Sequence, residues 1–395
     1  MSKKIVINSQ TNSQTSSQTS SQTSILPSRD RVAQALAHNE PDRVPYDQTS
    51  RSSAIEIEAY QALKDYLGLT QTLTSDPTCF LRSHANMEEP IRKILGVDTE
   101  FVRYMPDECW QVDGNDQLFI DAWDVPWRRK HGSLYYELSG NPFAALEYSE
   151  ILAKKWKPLI TPEMAVKLQI SAAKLYTEHD SALFSDQIGA GLFERAWYLR
   201  GLENFLVDMM LEKAWVHRYM ERVLQHQLEG YKVLFDAVGD YITGILLTDD
   251  LATQQSLMFS REVYLEMIYP YQKRLISYIK SRGMQTIFHS CGAVYPLIPD
   301  LLEAGVEILH PIQRSAAGMD PNRIKQEFGK DLVIWGAGCD TELLQTGTPQ
   351  EIVDDVKKTI DVLGRDGGFV FTTTHCIQPG TPPENILAMT GALHD

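Results

Sequence analysis

The chain has 395 residues, of which 43% are apolar and 23% charged, and its formal net charge at pH 7 is −15. This length allows a large buried core, and an α/β barrel with insertions can fill it as one unit. No block of lysine and arginine offsets the negative charge, which argues against a nucleic-acid or anionic-membrane partner. The five cysteines are an odd, scattered set, and no apolar run is long enough for a membrane span. We therefore expect a cytoplasmic protein whose thiols are free, catalytic or metal-bound.

The first 27 residues are predicted to form a disordered tail. Residues 8–24 are almost entirely Ser, Gln, Thr and Asn, so they bury too little apolar surface to offset the entropy of ordering them. The basic start of the chain lacks the long apolar stretch and the small-residue cleavage site of a signal peptide. Order is expected from residue 28, where Ser28-Arg-Asp suits the cap of a helix over residues 31–37.

From residue 28 onward, short apolar runs alternate with amphipathic helical stretches such as residues 201–235 and 261–281. This alternation is typical of parallel strands flanked by helices. The candidate strands are residues 44–46, 100–104, 182–185, 241–247, 285–288, 306–309, 332–335 and 368–371. Eight strand–helix units predict one (β/α)8 TIM barrel over residues 28–395.

Residues 108–140 interrupt this rhythm. Residues 118–123 and 133–138 alternate in the manner of antiparallel strands, and Trp123 and Trp127 lie in or near them. We interpret the region as an antiparallel hairpin insertion of two or three strands. It is either a lid over the active site or a surface excursion with no part in the chemistry.

Acidic, imidazole and thiol side chains follow directly after most of the predicted strands. Because a TIM barrel builds its active site at the carboxyl ends of the strands, these side chains are expected to meet at one mouth. In strand order they are Asp47, Asp186 with Gln187, Asp249 with Asp250, His289 with Cys291, His310 with Gln313, Cys339 with Asp340, and His375 with Cys376. The shared position is stronger evidence for a site than any single residue.

The pair His289 and Cys291 is the strongest candidate for the reactive centre. One residue separates the two, so the period of a strand places both side chains on the same face. An imidazole, a thiolate, another soft ligand from the last strand and an open fourth position match a catalytic zinc. The alternative is a buried cysteine beside a hydrogen-bonded histidine. The second His-Cys pair, at residues 375–376, favours zinc.

The role of the Asp249-Asp250 pair stays open at this point. It is a general acid/base couple, a partner that orients a ligating histidine, or the N-cap of the following segment. Gly189-Ala-Gly191 precedes a helix and can offer backbone N–H groups to an anion, but it is too short for a dinucleotide fingerprint. Cys79 and Cys339 are expected to be structural, and His179, His217 and His226 to face solvent.

Six longer motifs carry a family resemblance. They are Arg31-Val-Ala-Gln-Ala-Leu through Asp42-Arg-Val-Pro45, Gly191-Leu-Phe-Glu-Arg-Ala-Trp197, Thr248-Asp-Asp-Leu-Ala-Thr-Gln254, Phe288-His-Ser-Cys-Gly-Ala-Val294, Gly305-Val-Glu-Ile-Leu-His-Pro-Ile-Gln313 and His375-Cys-Ile-Gln-Pro-Gly-Thr-Pro-Pro-Glu-Asn385. Together they resemble the uroporphyrinogen decarboxylase superfamily from about residue 29 to the end of the chain. The resemblance implies a TIM barrel, in agreement with the strand count.

One branch of that superfamily consists of cofactor-free tetrapyrrole decarboxylases. These carry a Met-Arg-Gln-Ala-Gly-Arg motif that holds the substrate propionates, and an aspartate after an early strand. This chain has Tyr46-Asp-Gln-Thr-Ser-Arg51 at the first position, and Glu100-Phe-Val-Arg-Tyr104, with no matching aspartate, at the second. A substrate with many carboxylates needs several bidentate arginine contacts, so uroporphyrinogen itself is not the expected substrate.

The other branch resembles the corrinoid-linked methyltransferases that act on coenzyme M, which bind zinc through His-x-Cys and a distant cysteine. His289 and Cys291 match the first part. Aligning Ile377 with the Gly-Ile that follows the distant cysteine puts His375 at the third ligand position, and a one-residue shift puts Cys376 there, so both stay open. The resemblance implies Zn²⁺ as a cofactor and a corrinoid (cobalamin) on a partner protein, and related barrels favour a homodimer.

The leading hypothesis is a zinc-dependent methyl- or alkyltransferase, in which a zinc-bound substrate thiolate attacks a methyl carbon. Asp249 or Asp250 would orient His289 or handle a proton. The expected substrate-binding residues are Gln187, His310, Gln313 and Gln378.

Two rival hypotheses come from different functional classes. The first is a cofactor-free decarboxylase or lyase of a smaller acid that uses Asp47, Asp186 and His375. The second is a metal- or corrinoid-binding protein without turnover.

Overall fold

The computed structural model describes residues 25–69, 84–103, 110–113, 116–133 and 135–394. Most of the predicted tail, residues 1–24, lies outside these ranges, as does Cys79. The first helix, α1, is Ser28–Leu36, so it begins earlier than predicted. Ser28 is not its cap, because Pro27 holds that position and the Ser28 hydroxyl donates to Asp98 Oδ1 at 2.7 Å.

The strands of the described residues fall into two sheets. In chain order they are β1 (Thr99–Val102), β2 (Trp110–Asp113), β3 (Asp116–Ile120), β4 (Pro126–Arg129), β5 (Glu137–Leu138), β6 (Ala182–Ser185), β7 (Gly244–Thr248), β8 (Gln285–His289), β9 (Ile308–His310), β10 (Val333–Trp335) and β11 (Phe369–Val370). In the described chain, seven strands form a curled parallel sheet in the order β1-β6-β7-β8-β9-β10-β11. Each of the seven overlaps one of the predicted strands.

The first predicted strand, residues 44–46, is reduced to a bridge. Tyr46 pairs in parallel with Phe371, next to β11. On its other side, the Tyr46 carbonyl accepts the N–H of Asp98, next to β1, at 2.8 Å. The segment therefore links the two edges of the curled sheet, at the place where a closed barrel of eight strands would have its remaining strand. The fold is barrel-like, as the TIM-barrel prediction requires.

Two apolar cores lie on the two faces of the parallel strands. Leu246 belongs to a small inner cluster with residues of the neighbouring strands, whereas Leu247 belongs to the large outer core. This alternation follows from the two-residue period of a strand. Val32 and Leu36 of α1 pack into the inner cluster. They fill the interior at one end, so the mouth of the barrel is at the carboxyl ends of the strands.

Helices surround the parallel sheet. After α1 they are α2 (Ile57–Tyr66), α3 (Glu89–Leu95), α4 (Tyr148–Ala153), α5 (Pro162–Glu178), α6 (Leu192–Arg200), α7 (Leu202–Leu211), α8 (Lys213–Val238), α9 (Arg261–Met267), α10 (Tyr269–Ser281), α11 (Ile298–Ala304), α12 (Pro321–Phe328), α13 (Thr341–Thr346), α14 (Pro349–Leu363) and α15 (Pro383–His394). The two helical stretches named from the sequence are each divided, into α7 and α8 and into α9 and α10. Among the helices of the described residues, none is long and apolar enough to cross a membrane.

The predicted insertion is an antiparallel sheet, as expected, but it has four strands in the order β2-β3-β4-β5. The strand predicted over residues 118–123 ends at Ile120 because Asp121 turns the chain. The Asp121 carboxylate accepts the N–H groups of Trp123 at 2.9 Å and Val125 at 3.0 Å. This turn starts β4, which the sequence did not predict, and of residues 133–138 the described sheet contains Glu137–Leu138.

Candidate functional site

Strand β8 ends at His289, and Cys291 follows two residues later, after Ser290. The two side chains come together as predicted, with 3.4 Å between His289 Nε2 and Cys291 Sγ. Gly292 continues the turn with a φ of 91°, and a Cβ there would lie 2.5 Å from the Thr253 carbonyl oxygen. Glycine is therefore required for the chain to leave the strand in this direction.

Asp250, after β7, supplies a third donor atom. Its Oδ1 accepts the N–H of Cys291 at 2.8 Å and lies 3.8 Å from His289 Nε2. The three donor atoms lie within 4.8 Å of one another. Zinc with ligands at about 2.0–2.3 Å in a tetrahedron has ligand–ligand separations of about 3.3–3.8 Å. The separations of His289 Nε2 from Cys291 Sγ and from Asp250 Oδ1 agree with this range, and a carboxylate, an imidazole and a thiol are donors that Zn²⁺ binds.

His310, at the end of β9, contacts the Nδ1 atom of the His289 ring. Their Nδ1 atoms are 2.6 Å apart, and the rings stack with centroids 4.8 Å apart. Complete burial, reinforced by the charges of His289 and His375, lowers the pKa of His310 well below its ordinary value. Burial therefore favours the neutral imidazole of His310, whose contact with His289 suits a positioning residue, and the predicted binding of substrate by His310 stays a prediction. Its contact with His289 Nδ1 leaves Nε2 of that ring directed toward Cys291 and Asp250.

Asp249, the neighbour of Asp250, caps a helix. Its carboxylate accepts the N–H groups of Phe193 at 3.1 Å and Glu194 at 2.9 Å, and the amide of Gln272 at 2.7 Å. The capped helix is α6, earlier in the chain, so the predicted capping of the following segment is wrong. The sequence analysis allowed for an anion near Gly189-Ala-Gly191, and the Asp249 carboxylate is the negative group that lies beside Gly191. Burial raises the pKa of Asp249 to about 6.

A cavity of about 170 Å³ opens beside this cluster at the carboxyl ends of the strands. Its walls bring together five predicted residues: Asp186, Gln187, Asp250, His289 and His375. Trp127 of β4 also lines it. The insertion is therefore part of the cavity wall, as a lid would be, and its part in the chemistry stays a prediction.

Asp186 and Gln187 are fixed on the cavity wall by neighbouring strands and loops. Asp186 is fully buried, and its Oδ2 accepts from Arg51 Nε at 2.7 Å. Gln187 donates to the Thr248 hydroxyl and accepts the Thr248 N–H at 2.8 Å. The cavity thus offers a carboxylate paired with a guanidinium, next to an amide, for a polar substrate.

Glu194, in the first turn of α6, is a cavity residue that the sequence reasoning missed. It accepts hydrogen bonds from Tyr198 Oη at 3.0 Å and Thr248 Oγ1 at 3.3 Å. Burial, with the nearby charges of Asp250 and Asp249, raises the pKa of Glu194 to about 8. Its carboxyl group is therefore mainly protonated at neutral pH. The residue belongs to the motif Gly191-Leu-Phe-Glu-Arg-Ala-Trp197, but it lies on a helix. Its position after a strand therefore could not indicate it.

His375 and Cys376 are adjacent in sequence but belong to different surroundings. The His375 ring lines the cavity, 6.3 Å from the His289 ring between centroids. Cys376 is fully buried, with Sγ 3.2 Å from His84 Nε2. The chain bends at residues 374–375, and the two side chains leave it toward different surroundings. Of the two alternatives for a third ligand, His375 therefore shares the cavity with His289.

Asp47 does not line the cavity. It is fully buried, and its oxygens accept from Thr99 Oγ1 at 2.7 Å, Ser53 Oγ at 2.9 Å and Trp335 Nε1 at 3.0 Å. The carboxylate therefore holds the loop after the first strand segment. Both oxygens are thus engaged with the protein, and the catalytic role of Asp47 stays a prediction.

Gln313 and Gln378 make structural contacts where the sequence predicted substrate binding. Gln313 Oε1 accepts the N–H of Gly292 at 2.8 Å, which supports the turn after Cys291. Gln378 accepts from the Tyr135 hydroxyl of the insertion and donates to the Cys376 carbonyl at 3.0 Å. These residues position the walls of the site.

The remaining predictions concern residues outside the cavity. Cys339 is buried, with its thiol 3.6 Å from the Asp340 carbonyl oxygen, as expected for a structural cysteine. The three helical histidines do not face solvent freely. His179 lies 3.0 Å from a Glu89 carboxylate oxygen, His217 bonds the Tyr271 hydroxyl at 2.8 Å, and His226 packs edge-on against Trp123.

Comparison with known proteins finds a match to one protein family. The family model of uroporphyrinogen decarboxylase (URO-D) matches residues 188–395. Among curated proteins, a uroporphyrinogen decarboxylase of Anaeromyxobacter sp. is 29% identical over 129 residues, 33% of this chain and 35% of that protein. A methylated-thiol–coenzyme M methyltransferase of Methanosarcina mazei is 26% identical over 196 residues, 50% of this chain and 49% of that protein. The chain thus spans between a third and a half of the length of these relatives.

Among solved structures, a methyltransferase from Methanosarcina mazei superposes with a TM-score of 0.64. The superposition covers 93% of this chain and 98% of that one at 16% sequence identity. At this identity the likeness concerns the fold, and it agrees with the barrel-like architecture described above.

Proposed function

This chain belongs to the uroporphyrinogen decarboxylase family, and we propose that it is a zinc-dependent transferase that moves a methyl or small alkyl group to or from a thiol. The observation that carries the proposal is the Asp250–His289–Cys291 cluster beside the cavity. Relatives with decarboxylase and methyltransferase names match at similar identity, so the choice between the two chemistries depends on this cluster.

In this proposal His289, Cys291 and Asp250 hold the ion, and His375 is the donor available from the last strand. When bound, Zn²⁺ lowers the pKa of a coordinated thiol, so that a thiolate is present at neutral pH. His310 keeps the His289 ring in its orientation through the contact between the Nδ1 atoms. Glu194 lies on the cavity wall near the cluster, where its carboxyl group accepts hydrogen bonds from Tyr198 and Thr248.

The rest of the cavity selects the substrate. Arg51, paired with Asp186, and Gln187 offer polar contacts, and Trp127 closes one side against water. A volume of about 170 Å³ suits a small molecule and is small for a tetrapyrrole, since pockets for drug-sized ligands measure about 300–1,000 Å³. The engagement of Asp47 in its loop also weighs against the rival decarboxylase mechanism. As methyl donor we propose a small methylated compound or a methyl-corrinoid carried by a partner protein.

The test is a methyl-transfer assay with the zinc-loaded protein. Methylcob(III)alamin is supplied with coenzyme M or another small thiol, and loss of the cobalt–methyl bond is followed in the visible spectrum. The wild type is expected to accelerate demethylation. Cys291→Ser is expected to lower the rate more than about 100-fold, because loss of a residue that merely orients a ligand already costs about 10- to 100-fold.

Cys339→Ser is the matched control, since it changes a buried thiol outside the cavity, and it is expected to keep the wild-type rate. The proposal fails if the zinc-loaded wild type demethylates none of the supplied donors. It also fails if Cys291→Ser retains both the metal and the rate. Release of carbon dioxide from a small acid by the metal-free protein would favour the decarboxylase instead.

A further inference from the structure

A second cluster of donor atoms lies around Cys376. Glu56, His84 and Cys376 come from three separate segments, and each is at most 1% exposed. Cys376 Sγ lies 3.2 Å from His84 Nε2, and Glu56 Oε1 lies 3.7 Å from the same nitrogen. All three donor atoms lie within 4.8 Å of one another. One carboxylate, one imidazole and one thiol thus converge on one point inside the protein.

The main chain fixes this arrangement. Ile55 forms a parallel bridge with Ile377, and Glu56 forms an antiparallel bridge with His84. The Glu56 N–H donates to the Ile377 carbonyl at 3.0 Å, and the Ala85 N–H donates to the Ile55 carbonyl at 2.8 Å. Each donor therefore stands on, or directly beside, a hydrogen-bonded segment. Such preorganisation lowers the conformational cost of binding an ion.

A nucleophilic relay does not fit this cluster. In a relay the nucleophile and the orienting acid contact opposite nitrogens of the imidazole. Here the thiol and the carboxylate both approach Nε2 of His84. Burial of all three side chains also denies a substrate access to the thiol. Convergence on one point is instead what a metal ion requires.

We propose that Glu56, His84 and Cys376 bind a structural Zn²⁺ ion, separate from the ion at His289. The separations of 3.2 and 3.7 Å are close to the roughly 3.3–3.8 Å between ligands of tetrahedral zinc. A thiolate with an imidazole selects zinc over Mg²⁺ or Ca²⁺, which prefer oxygen ligands alone. A bound ion also compensates the cost of burying the Glu56 carboxylate.

The position of the ion gives it a structural consequence. It would join the start of α2 to the segment after β11, and the Cys376 N–H donates to His375 Nδ1 at 2.8 Å. The ion therefore anchors the segment that presents His375 to the cavity. Glu56 also lines a separate cavity of about 300 Å³, together with Glu58 and Ser133.

The test counts metal ions per chain. The full-length protein is loaded with Zn²⁺, passed through a desalting column, and measured by elemental analysis beside Cys376→Ser, Cys291→Ser and the double variant. We expect two ions in the wild type, one in each single variant and none in the double variant. Cys339→Ser, a buried thiol outside both clusters, is expected to keep two.

Cobalt(II) gives an independent reading, because a thiolate ligand produces a charge-transfer band in the near ultraviolet. Cys376→Ser and Cys291→Ser are each expected to remove about half of this band. The proposal is overturned if Cys291→Ser removes all metal while Cys376→Ser removes none. If Cys291→Ser keeps one ion and the zinc-loaded wild type transfers no methyl group, the proposed function is refuted and this site still stands.

Glu56→Gln keeps size and burial, and it covers the case in which Cys376→Ser does not fold. We expect it to weaken one of the two zinc sites by at least about tenfold in competition with a chromophoric chelator. Titration curves identical to those of the wild type would refute the site.

Discussion

The two donor clusters have the same chemistry and opposite surroundings. Each combines one carboxylate, one imidazole and one thiol, and in both clusters the histidine Nε2 lies 3.2 to 3.8 Å from the other two donor atoms. The Glu56–His84–Cys376 cluster is at most 1% exposed, whereas the Asp250 side chain is 41% exposed beside a cavity. Structural zinc sites are closed and catalytic sites keep an open position. The proposed roles, structural for the buried cluster and catalytic for the open one, therefore depend on access to the cavity and not on the type of ligand.

The clusters also differ in what holds them. The buried cluster is fixed by main-chain hydrogen bonds among three segments that are distant in sequence. The open cluster is held by side chains, since His310 contacts His289, and Gln313 supports the turn at Gly292. Removing the metal should accordingly loosen the connection between segments at the buried cluster, and should mainly abolish chemistry at the open one.

The largest expected effect is the loss of stability when the buried ion is removed. An ion bound at about a thousand times its dissociation constant stabilises the folded state by about 4 kcal/mol. We expect EDTA to lower the free energy of unfolding of the wild type by about this amount. Cys376→Ser should be less stable than the wild type in zinc and should lose less stability on chelation than the wild type does, as measured by urea unfolding.

Cys291→Ser is the control for this comparison, because it removes a ligand from the open cluster and leaves the buried one intact. It should retain most of the response to EDTA. The assignment of roles is wrong if Cys291→Ser loses that response and Cys376→Ser keeps it.

From the sequence, His289 and Cys291 were predicted as metal ligands and Asp250 as an acid/base or orienting residue, whereas Glu56 and His84 of the buried cluster were not predicted. His289, Cys291 and Asp250 follow strand ends, where the geometry of a parallel barrel brings side chains together. Glu56 and His84 lie in connecting segments, and no periodicity relates them to Cys376. Their proximity depends on long-range bridges, which one sequence does not reveal.

In the fold, too, features set by the local sequence were predicted better than features that depend on side-chain contacts. Buried parallel strands are short apolar runs, so the strands of the curled sheet were predicted from composition alone. The insertion was only partly predicted, because the turn at Asp121 depends on side-chain hydrogen bonds to the backbone. Asp47 was assigned a catalytic role from its strand-end position, but the loop it holds takes up its oxygens. The disordered tail, the cytoplasmic location, the corrinoid partner and the homodimer stay predictions.

Several carboxyl groups lie around the open cluster, and one of them, Glu194, makes the stability of the metal-free protein depend on pH. The pKa of Glu194 is about 8 in the folded state, against an ordinary value of 4.5. The folded state therefore binds more protons than the unfolded state between these values, and stability falls as the pH rises through this window. We expect a loss of about 1 kcal/mol per pH unit, or about 3 kcal/mol between pH 5 and pH 8.

Glu194→Gln removes this titration while keeping the hydrogen-bonding shape of the side chain. Urea unfolding in EDTA should then show a markedly flatter stability profile between pH 5 and pH 8. Glu203→Gln, on the neighbouring helix α7, is the matched control and should follow the wild type. A wild-type profile that rises across this window would contradict the raised pKa of Glu194.

The smallest expected effect tests whether side chains hold the open cluster. His310→Ala removes the contact to His289 Nδ1, and loss of such an orienting partner costs about 10- to 100-fold in metal affinity or activity, or about 1.4–2.7 kcal/mol. Zinc affinity at the open cluster, measured in Cys376→Ser to remove the buried site, should fall by that factor. His217→Ala, which removes an imidazole bonded to Tyr271 on the outer helices, should leave it unchanged. Equal affinities with and without His310 would mean that the strand alone positions His289, and the two clusters would then differ only in exposure.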